Sequence, residues 1–541
     1  MHLKLILLFL LISIQAFSQA DIILHNGKIF TSDHNQLWVE ALAIKGERIL
    51  ATGTSQEILK LKTSSTRLID LNRKVVVPGF NDAHTHLGAE APALRMSLGN
   101  DVTVPTPWPV VKDSLRSAVK RASPGTVIML TIHPGLFEDP NARRKVLDSI
   151  APAHPVVLNA WTGHGRILNS AALKYFAIDE NAQVAGGNLT RDKSGKLDGV
   201  VEEYAGFRIS EIMTRNLNDA KVVSDLTNVH KITASYGITT MQNMSSSFGA
   251  EQLKRIYSAN QFACRIRNIA FPYPGKDSLS LAEWGPVLGS SNGSNYVSGI
   301  KIILDGTPIE RLASMRESYG DRPAHYGRLN FRREELRRFF QFAINHNQQI
   351  MVHAVGDSAI VEVMRTMRAM YPDEFWKEKR LRLEHAEMAV VNEKDFDELK
   401  RLGIIIVQNP THLALPVEMA QRIPKERAKY LQAMKSLLKH DIPLAIGSDG
   451  PLNPYLNIML AVLHPDNPAE ALNVEQAVIA YTLGSAFAEF KEREKGSLTK
   501  GKLADLAVLS QDIFSIPLPQ LPATQSVMTM IGGKIVFDSQ Q

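Results

Sequence analysis

A single cysteine, Cys264, stands in a chain of 541 residues. No disulfide can form within the chain, so a packed core must hold whatever fold it adopts. Beyond Gln19 no stretch is apolar enough to span a bilayer. The 61 basic and 55 acidic residues leave a modest positive charge that is not gathered into any run, and nothing marks a nucleic-acid or membrane surface. A Gly-x-Ser-x-Gly elbow is missing, as is a His-Glu-x-x-His helix, which removes the serine-hydrolase and helix-borne metalloprotease readings.

What is present is an ordinary folded composition, 44% hydrophobic and 21% charged. The length suits one large domain with appendages. Lys4, the apolar run Leu5 to Ile14 and the small residues Ala16 and Ser18 form a secretory signal peptide over residues 1–18. The run is shorter than the ~20 residues a membrane anchor needs, and no lipobox cysteine follows. The mature chain is therefore expected to be exported, periplasmic or secreted, and free of the membrane after signal removal.

Both ends of the chain read as short strands and turns: Ile22 to Leu24, Ala41 to Ile44 and Arg67 to Val77 at the front, Ala504 to Val508, Ser526 to Ile531 and Lys534 to Phe537 at the back. They predict a composite β-sandwich from residues 19–78 plus 496–541. Between them, apolar β-branched runs predict eight strands, at Gly79 to His84, Gly237 to Gln242, Arg265 to Phe271, Val297 to Leu304, Gln349 to His353, Leu381 to His385, Ile404 to Gln408 and Pro443 to Ile446. Helical segments such as Arg333 to His346 and Asp357 to Met370 separate most of them. This alternation is that of an α/β fold, a (β/α)8 TIM-type barrel over residues 79–495. The first two strands are separated by about 150 residues, too many for a loop. Strand-like Val127 to Thr131 and Val156 to Trp161, with helical Asp113 to Ala122, make this a subdomain inserted after barrel strand 1, about 90–230, overhanging the face where the strands end.

In such a barrel, catalytic groups close the strands. The first run leads into His84 and His86, which at i and i+2 of an extended segment project to the same side. They are half of a metal site or two satisfied polar residues. Lys301 lies inside the apolar run of the fourth strand, either paired with a buried carboxylate such as Asp305 or converted by carbon dioxide to a carbamate, an anionic oxygen ligand. His353 closes the fifth strand and His385 the sixth, as ligands or as polar end-caps. Asp449 follows the eighth, as a ligand or as the aspartate of an Asp-Gly-Pro turn.

Taken together, these residues resemble the amidohydrolase superfamily of metal hydrolases, in the branch of N-substituted formamide deformylases. Its marks here are Asn26-Gly27, Pro78-Gly79-Phe80-Asn81-Asp82-Ala83-His84-Thr85-His86, Gly163-His164 followed by Asn169 to Leu173, Gly237 to Thr240, Asp305-Gly306, His353 to Asp357, Glu384-His385-Ala386, Gly447-Ser448-Asp449 and the tail Gly496 to Leu506. The resemblance runs from Asp21 to Phe537. It implies two divalent metal ions, zinc by family habit, held by His84, His86, carboxylated Lys301 as bridge, His353, His385 and Asp449. It also implies Asp449 as the proton shuttle and His164 as the donor to a developing oxyanion. A departure is Thr307-Pro308-Ile309-Glu310, where relatives carry serine and small residues; another is Asn243-Met244, where an acidic residue is commoner.

The reaction implied is hydrolysis of a carbon–nitrogen amide-type bond other than a peptide bond by a metal-bound hydroxide, in an N-formyl or N-acyl amine or a cyclic amide. The expected partners are a small-molecule substrate and, in a homodimer, a second copy of the chain. Two alternatives are a mononuclear deaminase, which would use a glutamate near the place of Asp357, and a non-catalytic metal- or substrate-binding relative.

Overall fold

The computed structural model describes residues 19–98, 104–275, 279–424 and 427–540. The signal peptide expected over 1–18 lies outside the described residues. No helix among those described is long and apolar enough to cross a membrane.

Eight strands lie side by side in chain order: β1 (Phe80–Thr85), β2 (Ile238–Met244), β3 (Arg265–Ala270), β4 (Asn295–Ile303), β5 (Ile350–Ala354), β6 (Arg382–His385), β7 (Ile405–Gln408) and β8 (Leu444–Ile446). Every neighbouring pair is parallel. Continuous runs such as Ile405-Ile406-Val407 suit strands buried on both faces. The ring closes just past β8, where the Asp449 N–H donates to the His84 carbonyl at 2.9 Å and the Ser448 N–H to the Asp82 carboxylate at 2.9 Å. Gly447 makes this closure possible, because a Cβ there would sit 2.3 Å from the His84 backbone nitrogen. The eight runs read from the sequence are these strands, shifted at most a few residues at their ends.

Local chemistry fixes the crossover helices. Asn392 caps the helix Glu393–Leu402 in a capping box with Asp395, and Gly403 ends it in the left-handed region at φ +64°. Phe396, Leu399 and Leu402, three apart, turn inward and are fully buried. Each contributes roughly 1.5–3 kcal/mol by leaving water.

The two ends of the chain share a pair of sheets. One takes Arg48–Gly53, Ala41–Lys45, Ile22–His25 and Arg67–Asp70; the other interleaves Lys534–Asp538, Ser526–Ile531 and Leu506–Leu509 with Val75–Pro78, Lys28–Phe30 and Trp38–Val39. Leu24, Leu42 and Ile44 from the first meet Val76, Leu506 and Met530 from the second in one apolar cluster.

Between β1 and β2 the chain builds a six-stranded mixed sheet, ordered Gly187–Arg191, Leu197–Glu203, Gly165–Leu168, Val156–Ala160, Ile128–Ile132 and Leu94–Met96. It has an apolar core of its own, with Val111 and Leu115 of the helix Trp108–Arg121 packed on Ile128 and Leu158. The sheet docks on the barrel's C-terminal rim: the Tyr204 hydroxyl accepts the Ile303 N–H at 3.0 Å, and Asn330 donates to Glu203 at 3.1 Å.

Candidate metal centre

Six imidazoles crowd the rim. Ring centroids run from His86 to His84 (5.3 Å), His84 to His385 (4.7 Å), His385 to His353 (4.5 Å) and His353 to His164 (4.9 Å), with His412 stacked 5.4 Å from His385. β1, β5 and β6 supply the middle rings, the inserted sheet brings His164, and the turn after β7 brings His412.

His84, His385, His86 and His164 are oriented from behind. His84 Nδ1 lies 2.6 Å from Glu384, and Arg382 grips that carboxylate at 2.7 and 3.1 Å while reaching the Ala83 carbonyl at 2.7 Å. His385 Nδ1 meets Asn409 at 2.8 Å, His86 Nδ1 meets Ser246 at 2.7 Å, and His164 Nδ1 meets Glu203 at 2.9 Å. A ring held by Nδ1 presents Nε2 forward, as a ligand must. Burial followed by the nearby Lys301 charge pulls His84 down to about 4. Burial likewise holds His353 and His385 well below the usual imidazole range. All three are neutral at pH 7, with a lone pair to give.

Asp449 sits at the centre of the group. One carboxylate oxygen is 3.5 Å from His84 Nε2 and 3.2 Å from His86 Nε2; the other is 3.6 Å from both His385 Nδ1 and His412 Nε2. Burial opposes its charge, but the His84, His412, His86 and His385 rings outweigh it and hold Asp449 well below the carboxylate range. Among the described residues, the clusters with metal-ligand spacing are His84-His86-Asp449 and His385-His412-Asp449, which share this carboxylate.

Buried polar atoms without a hydrogen-bond partner test whether the residues fit a metal. His84 Nε2, His353 Nε2 and Lys301 Nζ are all in that state, and stranded groups of this kind are costly unless a ligand meets them. Lys301 is 1% exposed, and burial lowers it to about 8. Its pairing with Asp305 is not made: that carboxylate accepts the backbone N–H groups of Ser314, Val355 and Gly356 at 2.9 to 3.0 Å. His353 Nε2 stands 3.9 Å from Asp305, beyond hydrogen-bond reach. The donor set of imidazoles, a carboxylate and an uncommitted lysine fits divalent metal.

Backbone strain gathers at the same place. His385 (φ +69°), Ala386 (φ +46°), Asp449 (φ +45°) and Glu203 (φ +56°) all occupy the region that side chains avoid.

His412 escaped the sequence reading, because it stands four residues past the end of β7 in Asn409-Pro410-Thr411-His412. Testing the turns after strands as well as the strand ends would have found it. The Asp449 carboxylate 3.6 Å away and the Glu387 carboxylate at 2.7 Å overcome its burial and raise it to about 10, so this ring is a cation beside Asp449. His164 is raised too, as Glu203 and Glu310 outweigh burial. The unusual Glu310 accepts hydroxyl hydrogen bonds from Thr162 and Thr307, which places it next to His164. Asp357, in the place of a deaminase glutamate, is tied instead to the Arg427 guanidinium and the Arg316 N–H.

The chain is 29% identical over 96% of its length to the protein LONG AFTER FAR-RED 3 of Arabidopsis thaliana, covering 92% of that protein. It is 24% identical to the N-substituted formamide deformylase of Arthrobacter pascens, over 96% of this chain and 98% of that one. The crystal structure of an uncharacterized metal-dependent hydrolase from Pyrococcus horikoshii superposes with a TM-score of 0.71 at 22% identity, covering 92% of this chain and 99% of that one. That likeness speaks for the fold. The model of the amidohydrolase family matches residues 67–537, and with nearly the whole chain covered the protein belongs to the amidohydrolase family.

Proposed function

We propose that this protein is an exported, metal-dependent hydrolase that cleaves the carbon–nitrogen bond of an N-formyl amine, an N-acyl amine or a cyclic amide. The observation that carries the reading is Asp449, a half-buried carboxylate shared by two histidine clusters whose neighbours His84 Nε2, His353 Nε2 and Lys301 Nζ lack partners. In the proposed centre His84, His86, His353, His385 and Asp449 would hold two divalent ions, zinc by family habit, with Lys301 as a carbamate supplying a further anionic oxygen ligand. Bound there, such ions polarise a carbonyl and make water nucleophilic at neutral pH.

The chain's own groups do the rest. His164, whose pKa Glu203 and Glu310 raise and whose ring Glu203 steadies, donates to the substrate carbonyl oxygen as negative charge grows on it. Asp449 takes the proton of the attacking water and returns it to the departing nitrogen, so that the C–N bond breaks to an amine and a carboxylate. His412, a cation beside Asp449, keeps that carboxylate ionised until it is needed. The inserted sheet is held at the rim by the Tyr204 and Glu203 hydrogen bonds. The engagement of Asp357 with Arg427 supports hydrolysis over a mononuclear deaminase, and the strain at His385 and Asp449 supports turnover over mere binding.

The deciding experiment uses mature, zinc-loaded protein against N-formyl amines, N-acyl amino acids, cyclic amides and lactones, following release of free amine. Turnover of an amide, lost on chelation and restored by zinc, is expected. Preference for lactones, or activity indifferent to chelation, would overturn the reading. For export, mass analysis of secreted protein is expected to find the chain starting at Gln19 or just after, and an intact Met1 in functional protein would refute it. The proposed partners are the small-molecule substrate and a second copy of the chain.

A further inference from the structure

Past the rim end of β4 the chain runs through a loop, residues 304–330, whose arginines are all paired. Arg311 forks onto Asp321 at 3.0 and 2.7 Å and reaches Glu138 of the insertion at 3.0 Å. Arg322 meets Glu138 at 2.8 Å, Arg316 meets Asp357 at 3.4 Å, and Arg328 meets Glu202 at 3.2 Å. Glu310 lies in the same loop and has no such match. Among the described residues no basic side chain forms an ion pair with it.

Glu310 is half-buried, and its two carboxylate oxygens accept the Thr162 and Thr307 hydroxyls. Thr162 stands two residues before His164, so the carboxylate lies beside the ring that takes the substrate's carbonyl oxygen. That ring does not match it, because Nδ1 of His164 is committed to Glu203 at 2.9 Å. Two carboxylates thus act on one imidazole. Burial raises the Glu310 carboxyl above its ordinary value, against the His164 ring and the two hydroxyls, which lower it. Another neighbour of His164 is the half-buried Phe207, edge-on at 5.5 Å. The space around the ring is bordered by an apolar face and an unmatched anion.

The fold does not need that charge. A neutral glutamine could tie Thr162 of the insertion to Thr307 of the barrel equally well, its oxygen accepting from one hydroxyl and its nitrogen donating to the other. A buried anion without a countercharge is costly unless something supplies one.

We propose that Glu310 selects the substrate: the scissile amide bears an ammonium group a few methylenes away on its amine side, and that ammonium pairs with the Glu310 carboxylate while the carbonyl oxygen lies on His164. The inference rests on the hydrolase reading above and adds the substrate's charge to it. A formyl group has no chain of its own, so in an N-formyl amine the charge can sit only beyond the nitrogen. A carboxylate offers about four acceptor positions and the hydroxyls use two. A compact ammonium can take one open position on either oxygen, where a guanidinium fork needs a matching pair.

The test compares three N-formyl amines of equal length on mature, zinc-loaded protein: N-formylputrescine, its neutral isostere N-formylpentylamine, and the anionic N-formyl-δ-aminovalerate. Wild type is expected to favour the first over the second by at least about ten-fold in kcat/KM, with the third the poorest, and Glu310→Gln to bring the first two within about three-fold of each other. A wild type that takes the neutral or the anionic amide as well as the cationic one overturns the inference and leaves amide hydrolysis standing. An equal loss on the first two substrates in Glu310→Gln overturns it too, and would make Glu310 a positioning residue for His164. Should none of the three be hydrolysed, the fault lies with the reaction assigned to the site, and calorimetric binding of the first two decides the pairing. Tighter binding of N-formylputrescine, lost in Glu310→Gln, sustains it; equal binding, or none, removes it. If Glu310→Gln does not fold, Glu310→Asp takes its place, since it keeps the charge but draws it back: the cationic substrate is expected to lose more than the neutral one, and an unchanged ratio overturns the inference.

Discussion

The two ends of the barrel treat buried charge in opposite ways. At the floor Glu489 is met by an ammonium, a phenol and an amide, so its carboxylate has little left to give. At the rim His84, His353 and Lys301 each present a buried nitrogen with no partner, and four residues there hold strained backbone. The floor thus spends its polar groups on the fold, while the rim withholds them for something that binds. At the floor Arg267, Asn295 and Gln349 likewise carry a buried polar atom without a partner.

The comparison breaks most completely at Lys301. If its Nζ is reserved for metal, Lys301→Ala loses metal and hydrolysis together, and short carboxylic acids with added zinc partly restore turnover. Elemental analysis and a hydrolysis assay on one sample decide this, and two retained metals with near wild-type rates would make Lys301 a core lysine. Next comes the proton shuttle: Asp449→Asn should lower kcat about a hundred- to ten-thousand-fold, measured at saturating substrate. His164→Ala should cost roughly a hundred- to a thousand-fold in kcat with metal content unchanged, because its ring serves the carbonyl oxygen. Glu384→Gln loosens the grip on His84 Nδ1 and should weaken metal affinity about ten- to a hundred-fold, read by chelator competition. The smallest effect on the site is expected from the floor. Glu489→Gln leaves Lys495 buried without its partner and should cost about 3–5 kcal/mol of stability. Chemical denaturation would show this while metal content stays at the wild-type level.

How much of this could be read without coordinates depends on how local each signal is. The strands were legible because runs such as Ile404 to Val407 are buried on both faces and need no alternation to stand out. The strand-end residues His84, His353, His385 and Asp449 were legible for the same reason: once a run is placed, its end is placed. His412 was not, since a turn separates it from its strand. Nor could sequence show that Asp305, four residues after Lys301, spends its carboxylate on three backbone N–H groups. That engagement across β4, β5 and the loop between them leaves the lysine unpaired. The orienting partners Glu384, Asn409 and Glu203 were equally hidden, because each meets its histidine across strands or across the insertion.

The seam between β1 and β8 ties the working site to the order in which the chain is made. The Ser448 N–H and the Asp82 carboxylate that help close it are 366 positions apart in the sequence, and the neighbouring closure bond joins Asp449 to His84 itself. About four fifths of the chain must be made before the eighth strand can dock, so no product that ends before Asp449 can carry a finished centre. The same geometry sets the order of loss on heating. Fraying of this one seam parts Asp449 from His84 while the other strand pairs stay intact, so activity should fade at a lower temperature than helix content, and exchange of the Asp449 amide should follow the loss of activity.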